Sequence, residues 1–179
     1  MAISNRPQSG EMYEHIDVRN PVTNEIIGSI RQTPRDEIKE AIERARDAQI
    51  GWGALTPSER VKFIRKWADL IWKQQETLIK LNRRETGKTD SGAFLEIIVL
   101  DNILQYYIHH APTLLKSKNR RTVVPFIQKA KVFYKPHGVV GVISPWNYPY
   151  LLGLIDLVPA LIAGNSALLK PSEVTPFTA

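Results

Sequence analysis

The chain has 179 residues, 43% of them hydrophobic and 23% charged, with 24 Lys+Arg against 18 Asp+Glu for a net charge of +6. That mixture excludes a disordered tail, a collagen-like repeat and a disulfide-stapled mini-protein, and a chain of this length buries roughly 70% of its unfolded surface. It contains no cysteine, which excludes a disulfide, a thiolate zinc site, an iron–sulfur cluster and a cysteine nucleophile.

Residues 1–17 lack the basic, apolar and small-residue succession of a secretory signal, so the expected location is the cytoplasm. Glu11–Arg19 and Glu25–Arg31 read as two strands. The turn Asn20-Pro-Val-Thr-Asn24 between them makes an antiparallel hairpin. Thr33-Pro34-Arg35-Asp36 then offers a threonine cap, a proline at the first helical position and an acid at the third. A helix is expected from there to about Gln49, with Ile38, Ala41, Ile42 and Ala45 on one face. Thr56-Pro57-Ser58-Glu59 is a full capping box. Its helix should run to about Arg84, carrying Val61, Ile64, Trp67, Ala68, Ile71 and Leu78 on one stripe, and stop at Gly87. A third helix, Ser91 to about His110, should be broken by Pro112. Its Trp and Tyr residues, and those of the helix before it, read as core.

Lys116–Arg121 is the densest basic stretch and reads as a solvated loop or subunit contact. No RNA- or DNA-binding motif surrounds it, so no nucleic-acid partner is expected. Thr122–Ile127 and Lys131–Tyr134 read as strands, and Pro125 with the alternating lysines points to an exposed edge or arm. His15, His109, His110 and His137 are scattered and read as structural or surface residues; no metal site is expected.

Val139–Ser144 is a buried-strand run, Leu151–Ala163 an apolar helix ended by Gly164, and Ser166–Lys170 a second buried strand. Strand, helix and strand in so short a stretch form a parallel crossover, which places the chain in the α/β class. The apolar run 151–169 has the length of a membrane span. Asp156, Pro159, Gly164, Asn165 and Ser166 interrupt it, so it reads as buried core and no membrane partner is expected. Thr175-Pro176-Phe177-Thr178 repeats the threonine–proline start and predicts one further helix. A two-strand unit with an unfinished helix leaves a sheet edge uncovered, so the chain reads as part of a domain.

The loop Ser144-Pro-Trp-Asn-Tyr-Pro149 lies between the first strand of the crossover and its helix, and Lys170-Pro-Ser-Glu173 follows the second strand on the same side. Ligands of open α/β sheets bind at the carboxyl ends of strands, and a helix N-terminus favours anionic groups. A lysine and a carboxylate there can meet the hydroxyls of a ribose, although no G-x-G-x-x-G is present. Taken singly, each motif has a plainer reading: a rigid turn with Asn147 as a helix cap, and a capped loop.

Together, Gly138-Val-Val-Gly-Val-Ile-Ser-Pro-Trp-Asn-Tyr-Pro149, Pro159-Ala-Leu-Ile-Ala-Gly-Asn165 and Lys170–Glu173 closely resemble the NAD(P)-dependent aldehyde dehydrogenase family. Asn20-Pro-Val-Thr23, the Arg60 helix ahead of Ala68-Asp69, and Glu85-Thr-Gly-Lys88 agree in collinear order from about residue 17 onward. The resemblance implies oxidation of an aldehyde to a carboxylic acid with hydride transfer to NAD, NADP being the alternative. It implies that Asn147 donates to the aldehyde oxygen as it becomes an alkoxide. Ile143, Ser144, Pro145 and Trp146 match the loop lining the cofactor cleft, and Lys170, Pro171, Ser172 and Glu173 match the segment that binds the adenosine ribose. A glutamate there favours NAD, because it would meet the 2′-phosphate of NADP.

The resemblance further implies a Rossmann-like cofactor domain, incomplete in this chain. Residues 1–117 would be its hairpin and helical part, 118–136 an oligomerisation arm and 137–179 the start of the dinucleotide core, in a homodimer or homotetramer. The family's cysteine nucleophile and its distant glutamate lie beyond the matched region, so the chain resembles the first third of such an enzyme and is expected to be inactive alone. The alternative from another class is a non-catalytic basic module that binds an acidic partner.

Overall fold

The structure is a computed structural model that describes residues 14–124 and 126–179. The expected strand residues Glu11–Tyr13 and the edge marker Pro125 lie outside the described residues. Strands β1 (His15–Arg19) and β2 (Ile26–Arg31) form the expected antiparallel hairpin, with Ile16 opposite Ile30. Asn20 Oδ1 accepts from the Val22 and Thr23 amides at 2.8 and 3.3 Å, and Asn24 takes the left-handed conformation that closes the turn.

Helix α1 (Arg35–Ala54) starts one residue later and ends five residues later than its sequence predicts. Pro34, not Thr33, is the cap: its extended ψ of 152° leaves the Thr33 hydroxyl outside the helix, and no side chain caps the first turn. The helix continues across Gly51 and Gly53 because tertiary bonds hold its end. Gln49 Nε2 donates to the Gly164 carbonyl (2.9 Å) and Trp52 Nε1 to the Leu161 carbonyl (2.8 Å). Of the predicted face only Ala45 is buried; Ile38 is half-exposed.

The capping box opens α2 (Pro57–Lys73) as expected, with Glu59 N donating to Thr56 Oγ1 (3.3 Å) and Thr56 N to the Glu59 carboxylate (2.7 Å). The single long helix predicted after it is two helices. Gln74 leaves the helical region at φ −105° and ψ 9°, and α3 (Gln75–Thr86) runs from it to Gly87, which ends the helix in the left-handed region as expected. Helix α4 (Asp90–Leu114) is capped by Thr89 and passes through Pro112 without breaking. The proline costs one backbone bond, and the Leu115 amide still closes the last turn on the Ala111 carbonyl (2.9 Å).

Ala93, Ile97, Leu100, Leu104, Ile108 and Ala111 of α4 repeat at helical spacing and are fully buried. They meet Val61, Ile64, Ala68 and Ile71 of α2 in one core, which also takes in Tyr150, Val158 and Ile162 of helix α5 (Pro149–Ile162). Trp67 and Tyr107 pack against this core, whereas Tyr106 is half-exposed, contrary to its expected core role.

The arm is an antiparallel pair of short exposed strands, β3 (Lys118–Arg120) and β4 (Ala130–Val132). Its first strand lies in the stretch read as a basic loop, and of Thr122–Ile127, read as strand, the described residues 122–124 and 126–127 lie outside both strands. Phe126 has a φ of 74° and the Gln128 amide donates to the Val124 carbonyl (3.1 Å), as reversing the chain requires.

Strand β5 (Val139–Ile143), helix α5 (Pro149–Ile162) and strand β6 (Ser166–Lys170) form the predicted parallel crossover, in register from Val139 opposite Ser166 to Ile143 opposite Lys170. Gly164 ends the helical segment at φ 97°. The strands are less buried than predicted: in β5 only Val142 is buried and Ile143 is 80% exposed, because this sheet has two strands among the described residues. The helix predicted at Thr175 is a series of turns. No helix among the described residues is long and apolar enough to cross a membrane. The architecture is α/β, as the sequence pattern predicts.

Candidate functional site

The register of the crossover builds the site. Ile143 and Lys170 are partners at the carboxyl ends of β5 and β6. The ladder extends one bond further, Ser144 N donating to the Lys170 carbonyl at 3.1 Å. The loops carrying residues 144–148 and 171–175 therefore leave the sheet side by side. Thr175 Oγ1 donates to the Trp146 carbonyl at 3.5 Å, so the two candidate motifs meet in space as their placement on the strands predicts.

Pro145, Trp146 and Asn147 are exposed, and Ile143 stands open beside them. Ser144 is buried where α5 comes closest: a Cβ on Gly153 would lie 3.6 Å from the Ser144 Cβ. Asn147 does not cap α5. Tyr148 holds that position without a side-chain bond, Pro149 is the first helical residue, and among the described residues the Asn147 amide has no hydrogen-bond partner. The plainer reading of Asn147 as a helix cap is thereby overturned.

At the other motif Lys170 Nζ donates to Glu173 Oε2 at 3.0 Å, and both side chains are exposed. The backbone N–H of Glu173 and then the Lys170 ammonium hold the Glu173 carboxyl below the usual carboxylate range. Ser172 turns inward on its own loop, where its Oγ accepts from the Val174 amide (3.2 Å), and Pro171 is half-buried.

Beneath the loop lies a polar cluster that the sequence pattern did not single out as a site. Glu96 is completely buried on α4, pairs with Lys88 Nζ and accepts from Asn82 Nδ2 at 3.0 Å. Lys88 Nζ stands 3.9 Å from the centre of the Tyr148 ring. Glu85, also buried, accepts from the amides of Phe177 (2.8 Å) and Thr178 (2.6 Å). Tyr150 donates to the Leu78 carbonyl at 3.0 Å, and burial, then Glu85 and Glu96, push its phenol well above the ordinary range. The signal was present in the sequence: Glu96 falls on the apolar stripe between Ala93 and Leu100, where a carboxylate needs a buried partner.

A model of the Aldehyde dehydrogenase family matches residues 8–179. Over 144 residues the chain is 42% identical to a protein of Mycobacterium ulcerans named as a succinate-semialdehyde dehydrogenase [NADP(+)]; the match covers 80% of this chain and 28% of that protein. Among solved structures it is similar to an NAD-dependent benzaldehyde dehydrogenase from Corynebacterium glutamicum, with a TM-score of 0.84, 32% identity, and 92% of this chain on 36% of the other. It is equally similar to an NADP-dependent enzyme of E. coli, with a TM-score of 0.86, 32% identity, and 92% of this chain on 34% of the other. The chain thus spans about a third or less of the length of the proteins it matches.

Proposed function

The chain belongs to the aldehyde dehydrogenase family, and from that premise we propose that it supplies the oxyanion donor and the adenosine-side contacts of an enzyme that oxidises an aldehyde to a carboxylic acid with NAD or NADP. The observation that carries this reading is the Asn147 amide, without a hydrogen-bond partner among the described residues, at the carboxyl end of β5 beside the exposed Lys170–Glu173 pair. A neutral amide adds no charge to the resting site and strengthens its bond as an aldehyde oxygen becomes an alkoxide.

The donor set suits a nucleoside ribose. Lys170 offers N–H donors and Glu173 carboxylate oxygens within 3.0 Å of each other at the strand end, so adjacent hydroxyls would find one donor and one acceptor. Lys170 and Glu173 would hold the adenosine ribose, and Ile143, Ser144, Pro145 and Trp146 would line the cleft beside it. The bound cofactor supplies the hydride acceptor. Of residues 1–117, 118–136 and 137–179, the first and last belong to the cofactor domain and the middle to an arm. Val123, Phe126, Ile127 and Phe133 expose an apolar face there, which supports pairing with another subunit in a homodimer or homotetramer.

The chain contains no cysteine, so by itself it has no thiol to attack the aldehyde. We expect the 179-residue protein to form no NADH or NADPH from propanal, benzaldehyde or succinic semialdehyde. Joined in frame to a cysteine-bearing segment of the same family, it should reduce cofactor with at least one of them. Aldehyde-dependent turnover by the chain alone, or none by the joined protein, would overturn the reading. In the joined enzyme Glu173→Gln should lower the preference for NAD over NADP about fivefold, the factor that corresponds to about 1 kcal/mol of repulsion removed from a 2′-phosphate. The ratio of kcat/KM for the two cofactors measures it, and an unchanged ratio would remove Glu173 from the ribose site.

A further inference from the structure

Asn147 lies between two prolines, and among the described residues no hydrogen bond fixes its amide. Its direction therefore depends on what holds its neighbours. On one side the Trp146 carbonyl is tied to Thr175. On the other, the Tyr148 ring is 42% exposed, so core packing does not hold it, and the group that faces it is the Lys88 ammonium, 3.9 Å from the ring centre. A cation at that distance is attracted to the ring face.

Lys88 is itself fixed. It follows the left-handed Gly87 that ends α3, and its ammonium bonds to Glu96, whose carboxylate is 0% exposed and is shared with Asn82. This ion pair is poorly built for stability: among the described residues Glu96 Oε2 is buried without a partner, and a well-packed apolar pair of similar volume would be no less stable. Its arrangement does place a rigid cation at the surface of the core, against the ring of Tyr148, the residue that follows Asn147. We propose that Lys88 is a positioning residue for the oxyanion donor: held by buried Glu96, it fixes the Tyr148 ring and with it the direction in which Asn147 is presented. The proposal rests on the reading of Asn147 given above.

The test uses this chain joined in frame to a cysteine-bearing family segment, with four variants assayed by steady-state kinetics. Lys88→Met should lower kcat about tenfold, with KM for cofactor and aldehyde changed less than about twofold, since loss of alignment weakens a bond made in the transition state. Because that variant strands the Glu96 carboxylate, the double variant Lys88→Met/Glu96→Gln removes both charges together, and it should stay as slow. Lys88→Arg, whose cation also pairs with carboxylates and stacks on rings, should recover to within about threefold of the starting kcat. A double variant that regains the full rate would mean that the stranded carboxylate was the whole effect, and it would overturn the proposal. So would a Lys88→Arg enzyme as slow as Lys88→Met. Asn147→Ala in the same enzyme separates the two readings. If it leaves kcat unchanged, the donor assignment falls; if it is slow while the double variant is fast, only the role of Lys88 falls.

Discussion

Asn147→Ala in the joined enzyme is expected to lower kcat by about two to three orders of magnitude, the loss that follows removal of one oxyanion donor. The structure gives reason to expect a clean result. Among the described residues the Asn147 amide has no hydrogen-bond partner and the side chain is exposed, so its removal strands no buried group there. Stability should therefore change by less than about 0.5 kcal/mol, as for a surface position. KM for the cofactor should also stand still, because Lys170 and Glu173 sit on the neighbouring loop. Adding Lys88→Met to Asn147→Ala should cost little more, since an orienting residue has nothing left to orient. A variant that shifts only cofactor KM would place Asn147 in the cofactor site and end its assignment as donor.

Arg60→Met is expected to cost about 3 kcal/mol of stability. Arg60 is 5% exposed, and among the described residues its guanidinium forms no salt bridge with a carboxylate. Its Nε donates to the Ile162 carbonyl of α5 (2.8 Å), and its Nη1 points at the carbonyls of Trp52, Gly53 and Leu55 where α1 ends. Two helices thus bring their negative ends to one cation, which satisfies carbonyls that helix termini leave unbonded. Gly164 packs against this group so closely that a Cβ would stand 3.2 Å from the guanidinium carbon. Methionine would fill the space but take the donor from the buried Ile162 carbonyl and from the half-buried Gly53 and Leu55 carbonyls, while the Trp52 carbonyl keeps the Leu55 amide. Lysine, with three donors on a point charge, should recover less than half of the loss. Urea unfolding followed by circular dichroism measures both, and a Met variant within 1 kcal/mol of the parent would show that the carbonyls find other partners.

What the sequence revealed depended on whether the deciding interaction was local. The capping box at Thr56, the glycine stop at Gly87 and the Asn20–Asn24 turn are each closed by residues within five positions of one another, and each formed as its motif predicts. The break at Gln74 was illegible because no proline or glycine marks it. Pro112 misled in the opposite direction, since one missing bond near a helix end is outweighed by the burial of Ile108 and Ala111. At the site, the strand ends and their two loops were legible from the crossover alone. The buried acids were not, because Glu85 finds its partners at Phe177 and Thr178, some ninety positions away.

Those long-range bonds bear on how the chain withstands being cut. The Glu85 carboxylate, the Arg60 guanidinium, Gln49, Trp52 and Tyr150 all bridge residues before the β3–β4 ribbon to residues after it. None of these bonds involves the ribbon, whose strands are exposed throughout. A protease nick at 122–128 would sever the covalent thread and leave the two pieces clasped along the α2–α4–α5 core. The ribbon is a handle on the outside of the fold, and its length and sequence are free to change without loosening what lies on either side.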